Sequence, residues 1–163
     1  MDIRYDPKHL KQLENCRVVE GSVQIFLMDN YEDEFRNYTF PLLVEVTDYI
    51  MFYRINGIRS LAQLFPNLAV IRGQNLFKDY ALVIYEMMQL EDIGLSSLTH
   101  IERGFVRIEK NDLLCFADKI DWTLIAKSQL TDDNYIHVSS IQLFSNKLNV
   151  NCYCFLFFFR LIE

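Results

Sequence analysis

Phe26, Tyr53 and Tyr85 each stand in or at the end of a short run of alternating apolar residues. With Gln24, Met51, Val83, Arg107 and Glu109 they are the side chains of this chain placed to do chemistry together. That chemistry is recognition. Rings and a methionine gathered on one side of stacked strands, with charge at the border, form the apolar centre and polar rim on which a protein partner docks. The competing reading is that another layer of the same chain covers these rings, as helices crossing a sheet do. Residues suited to making and breaking bonds are present but dispersed. His9, His100 and His137 are scattered, and a lone histidine is more often packed or solvated than a general base. Glu32-Asp33-Glu34 reads as a solvated loop of like charges. A catalytic β-helix needs acids ranked along one groove; aromatic residues hold those places here, and only Glu109 ends a rung.

The cysteines, Cys16, Cys115, Cys152 and Cys154, lack the paired spacing that a tetrahedral zinc site needs. Cys16 and Cys115 have no basic constellation beside them to activate a thiol. Cys152 and Cys154 are too close to bridge each other easily, so an oxidised framework uses more distant partners. The chain has no GxGxxG after a strand, no P-loop, no GxSxG and no HExxH. The expectation is a binding module with no cofactor, no metal and no enzymatic activity.

Repetition positions these residues. Segments 15–21, 42–48, 67–73 and 98–104 read as one short unit, ending at Gly21, Asp48, Gly73 and Gly104, with an alternating stretch following each. This is the signature of a coiled β-solenoid. Strands are expected over 22–27, 49–53, 81–85 and 105–109. Val23, Ile25, Leu27, Ile50, Phe52, Leu82, Ile84, Val106 and Ile108 face inward, and the recognition residues face outward on rungs ~4.8 Å apart. Asp6-Pro7 followed by Leu10, Leu13 and Cys16 predicts a capped amphipathic helix plugging one end of the coil. Segments 57–65 and 87–95 read as short helices or turns at the corners, Asp121 as the cap of a helical turn at Trp122, and 134–136 as a last strand.

The chain has 163 residues, 51% of them hydrophobic and 23% charged, which suits one core. Its 22 acids against 16 bases give a net charge of −6. With no long basic cluster, nucleic acid is not an expected partner. Asn37-Tyr38-Thr39 is a sequon in a polar stretch, suited to a glycosylated loop. No basic patch followed by an apolar run marks a secretory leader, and no run reaches the ~18 apolar residues of a membrane span. Taken alone these features point to a soluble cytosolic chain. The expected domain is 1–138; residues 139–163, with their Phe-rich ending, read as a poorly ordered tail.

Several blocks in order resemble a known family: Met1-Asp2-Ile3-Arg4, Leu13-Glu14-Asn15-Cys16, Thr47-Asp48-Tyr49, Leu64-Phe65-Pro66-Asn67-Leu68, Val70-Ile71-Arg72-Gly73, Asp79-Tyr80-Ala81-Leu82-Val83-Ile84-Tyr85-Glu86, Arg107-Ile108-Glu109-Lys110-Asn111 and Ile120-Asp121-Trp122. Over about residues 1–136 the chain is similar to the first ligand-binding L domain of the insulin and insulin-like growth factor receptors. The resemblance implies a mainly β fold with short helices, a right-handed parallel β-helix of the receptor L-domain type, resembling a leucine-rich-repeat solenoid. It implies an extracellular setting, contesting the cytosolic reading above. The implied partners are an insulin-type peptide hormone, a helix from the receptor's α-chain carboxyl terminus, and the rest of a homodimeric receptor. Contacts are implied at Asp2, Arg4, Gln24, Phe26, Leu27, Met51, Tyr53, Arg54, Phe77, Val83, Tyr85, Glu86, Arg107, Glu109 and Lys110. Phe26, Tyr53, Phe77 and Tyr85 act as anchors, and Arg4, Arg54, Glu86 and Glu109 as orienting charges.

The resemblance also implies a cysteine upstream as partner of Cys16 and one downstream as partner of Cys115; Cys152 or Cys154 is the alternative for Cys115. The chain departs from vertebrate relatives at Tyr5, where they carry Asn, at Lys78-Asp79, where they carry Phe-Asn, and at Asp29, where they carry an aromatic. It reads as a fragment of such a receptor without its tyrosine kinase. The alternatives are a truncated or secreted decoy that sequesters hormone, and a generic structural solenoid.

Overall fold

The computed structural model describes residues 1–28, 35–126 and 134–136. Asp29, Glu32-Asp33-Glu34, His137, Cys152, Cys154 and the 139–163 tail lie outside the described residues. In chain order the strands are β1 (Asp2–Arg4), β2 (Val18–Val19), β3 (Val23–Met28), β4 (Glu45–Val46), β5 (Ile50–Ile55), β6 (Val70–Ile71), β7 (Tyr80–Tyr85), β8 (His100–Ile101), β9 (Phe105–Glu109) and β10 (Tyr135–Ile136). They form a six-stranded sheet, β1-β3-β5-β7-β9-β10, and a four-stranded sheet, β2-β4-β6-β8. All pairs are parallel. The chain passes from the small sheet to the large one and back in each repeat, so every rung hydrogen-bonds the rung before and after it. The result is the expected parallel β-solenoid. Its first edge strand, β1, went unrecognised in the repeat pattern because three residues are too few to show alternation.

The core lies between the sheets. Val23, Ile25, Ile50, Phe52, Leu82, Ile84, Val106 and Ile108 are all buried, and Val19, Val46, Ile71 and Ile101 meet them from the small sheet. Burying each such side chain contributes about 1.5–3 kcal/mol. Leu27 is the exception to the inward row. It has a left-handed φ of +57°, so the alternation breaks there, Leu27 sits half-buried at the corner, and Met28 takes the inward place.

The break recurs at the ends of β1, β3, β5, β7 and β9. Tyr5, Leu27, Arg54, Glu86 and Lys110, each following a register-matched residue, have φ between +50° and +63°. Met28, Ile55 and Met87 then turn inward, and so does Asn111. A non-glycine residue pays ~1–2 kcal/mol for this conformation. Inter-rung bonds from Asn56 N–H to the Met28 carbonyl (2.8 Å) and Glu86 N–H to the Glu109 carbonyl (3.2 Å) accompany it. Asn111, the buried polar residue among the described ones, ends the column. Its Oδ1 accepts from Met87 N–H (2.9 Å) and its Nδ2 donates to the Ile84 carbonyl (3.0 Å).

The segment Pro7–Leu13 is a 3₁₀ helix capped by Asp6, whose carboxylate accepts from Lys8 N–H at 2.8 Å. Pro7, Leu10 and Leu13 recur every three residues, the period a 3₁₀ helix keeps on one face, and all are buried. Segments 57–65 and 87–95 are turns that continue the stacking through a parallel bridge between Ser60 and Asp92. Asp121 caps the turn of helix α1 (Trp122–Ile125), and Trp122 Nε1 donates to the Ala117 carbonyl at 3.1 Å. Among the described residues no helix is long and apolar enough to cross a membrane.

Candidate functional site

Strand register arranges the outward side chains of the large sheet as two rows. Asp2, Gln24, Met51, Val83, Arg107 and Tyr135 form one, and Arg4, Phe26, Tyr53, Tyr85 and Glu109 the other. Leu27, Arg54, Glu86 and Lys110 follow the second row along the left-handed corner. Phe77 joins from a turn: its N–H and carbonyl exchange hydrogen bonds with those of Tyr80 at 3.0 and 2.9 Å, around Lys78 and Asp79 with φ of +46° and +72°. Two left-handed residues between paired ends are the geometry of a tight hairpin turn. It raises Phe77 as a lip beside Tyr49, ring centroids 5.9 Å apart. All fifteen residues expected on the face are thus on its two rows, its corner or its lip.

Their accessibility differs from the expectation of a uniform aromatic ladder. Phe26 is only 9% exposed, and the Arg4 guanidinium lies 4.4 Å from its ring centroid. Val83 is also buried, yet neither belongs to the interior cluster. Their neighbours on the outer face cover them. The open apolar surface comes instead from Met51, Tyr53, Phe77 and Tyr85, all half-buried, with the Tyr53 and Tyr85 rings 5.6 Å apart. Together with Val83, Lys78 and Arg107 these residues line a shallow depression of about 320 Å³.

Charges frame this surface at both ends. Arg4 pairs with Asp2, and that hydrogen bond holds the Asp2 carboxyl below the usual carboxylate range. At the other end Arg107 donates twice to Glu109, at 3.1 and 2.6 Å, which raises its own pKa further. Along the corner Glu86 takes Arg54 on one side and Lys110 at 3.5 Å on the other. The Tyr85 side chain, hydrogen-bonded to Lys110, raises that ammonium's pKa. Arg4, Arg54, Arg107 and Lys110 therefore keep their charge across the physiological range.

Tyr80 and Tyr135 were missed as members of the face. Arg107 sits 5.6, 5.7 and 5.5 Å from the ring centroids of Tyr80, Tyr85 and Tyr135, clasped by three rings. The signal was a strand begun one residue late at Ala81 and a last strand whose register the sequence does not specify. Elsewhere, His9 and His100 are exposed and apart, and among the described residues no three His, Cys, Asp or Glu side chains gather as a metal site. Cys16 is a free thiol. Asn37 is exposed in the crossing from β3 to β4.

The receptor L domain family model matches residues 15–126. The chain is 56% identical over 129 residues to an insulin-like peptide receptor of Branchiostoma lanceolatum, 78% of this chain and 10% of that one. It is 51% identical over 137 residues to the insulin-like growth factor 1 receptor of Xenopus laevis, 83% of this chain and 10% of that one. To the insulin receptor of Xenopus laevis it is 49% identical over 140 residues, 85% of this chain and 10% of that one. The chain thus spans about a tenth of the length of these curated relatives. A parallel solenoid with this match over most of its rungs leaves one assignment: the chain belongs to the receptor L domain family, among the sequences of insulin-type receptors.

Proposed function

We propose that this domain binds an insulin-type peptide hormone on the outer face of its large sheet, outside the cell, as part of a longer dimeric receptor and without catalysis of its own. The observation that carries the reading is the open apolar strip of Met51, Tyr53, Phe77 and Tyr85 framed by fixed charges, in a chain whose relatives are named as receptors for insulin-like peptides. A helix of the receptor's α-chain carboxyl terminus lies on the same strip beside the hormone. Tyr85 is the central anchor, packed against Tyr53 and touched by Arg107 and Lys110.

The test is fluorescence-polarisation binding of a labelled insulin-type peptide from the same organism, with the α-chain helix peptide added. Tyr85→Ala is expected to weaken binding about thirtyfold, the ~2 kcal/mol of an aromatic hot spot. Equal binding by that variant and the parent, with unchanged circular dichroism, counts against the site.

The same extracellular setting makes Asn37 the acceptor of an N-linked glycan. Secreted from eukaryotic cells, the chain is expected to run as a heavier band that collapses on glycosidase digestion. Asn37→Gln should abolish the difference; identical mobility of parent and variant counts against glycosylation.

A further inference from the structure

The depression on the outer face carries a charge imbalance that the hormone-binding reading does not explain. Its two charged lining residues, Lys78 and Arg107, are both cations, in a chain of net charge −6. Arg107 is already neutralised by Glu109. Lys78 is exposed, its ammonium 5.9 Å from the Phe77 ring centroid, and it has no ion-pair partner among the described residues. Lys78 is held on the lip by the backbone hydrogen bonds between Phe77 and Tyr80, so its chain leaves the turn from a fixed point.

An apolar group filling the depression strips water from that ammonium and returns nothing, a cost that a buried charge recovers only from a partner of opposite sign. A cationic neighbour on the occupant meets repulsion. We infer that the peptide segment filling this depression carries an Asp or Glu beside its apolar anchor, and that Lys78 reads that carboxylate and so sets which ligands this face accepts. The inference rests on the hormone-binding reading. It adds the chemistry of the occupant and names a specificity-determining residue, at a position where the sequence resemblance finds a departure from vertebrate relatives.

The experiment uses the labelled insulin-type peptide and the α-chain helix peptide, with parent, Lys78→Met, Lys78→Glu and Tyr85→Ala chains at low and high salt. Lys78→Glu is expected to weaken binding about tenfold and Lys78→Met less, and parent binding should fall with salt more steeply than that of Lys78→Met. Each Asp and Glu of the two peptides is then replaced by Lys in turn. One of these replacements is expected to restore binding to Lys78→Glu while weakening it to the parent. If Lys78→Glu binds as the parent does while Tyr85→Ala loses affinity, or if no replacement restores binding, the inference fails and the hormone reading survives. Absence of binding by the parent chain overturns both.

Discussion

Gly73→Ala is expected to lower the unfolding free energy by about 2–5 kcal/mol, combining left-handed strain of ~1–2 kcal/mol with overpacking of ~1–3 kcal/mol. Gly73 has a φ of +65°, and a Cβ built there meets the Arg103 carbonyl oxygen at 2.1 Å and its carbon at 2.9 Å. Those atoms are backbone of the next rung, so they cannot swing aside. The methyl wedges two rungs apart at the corner where Gly73 N–H donates to the Asp48 carbonyl at 2.9 Å. Gly21 fills the equivalent corner one repeat from the start. Its φ is +107°, but nothing lies within 4 Å of a Cβ, so Gly21→Ala should cost only the conformational part, about 1–2 kcal/mol. Urea-unfolding midpoints of the two variants, measured side by side, check the difference. Equal losses contradict the wedge.

The second large effect is expected at Asn111. Asn111→Ala removes, inside the core, the Oδ1 that accepts from Met87 N–H and the Nδ2 that donates to the Ile84 carbonyl. An unmet buried polar group costs about 1–3 kcal/mol, and a loss in that range is expected, carried by the Met87 N–H. Hydrogen exchange supplies an independent readout: the Met87 amide should lose protection beyond what global destabilisation explains. Asn67 is the control, since its side chain bonds the Pro41 carbonyl at 2.8 Å on the surface, and Asn67→Ala should cost about 1 kcal/mol or less. An Asn111 variant as stable as the Asn67 variant shows that solvent reaches the site.

Much of this architecture is written in the chain because a solenoid repeats its constraints. Val23, Ile50, Leu82 and Val106 occupy the same point in successive rungs, and the corners at Gly21, Asp48, Gly73 and Gly104 recur with them, so period and facing are legible together. What escaped the sequence is whatever depends on non-glycine residues adopting left-handed backbone. Nothing in the identities of Leu27, Arg54, Glu86 and Lys110 announces that conformation, and so Leu27 was placed on the wrong side of its strand. The outer rows were legible from alternation, whereas their degree of covering was not. Phe26 lies under Arg4 because β1 pairs with β3 in a register that places Arg4 beside Phe26. The clasp of Arg107 by Tyr135 depends on pairing across 28 positions, and only the observed register of β10 on β9 reveals it.

The even stacking of the large sheet makes its outer face a ruler. Its graduations stand ~4.8 Å apart, the separation of paired strands. A helix laid across them advances ~5.4 Å per turn. The two scales slip by about 0.6 Å at each step, so side chains that begin in phase drift by about half a graduation after four steps. A straight helix can therefore seat consecutive turns over Tyr53 and Tyr85 but falls out of phase farther along. Extending it adds length without adding matched contacts, and the vernier itself limits the useful footprint to a few turns.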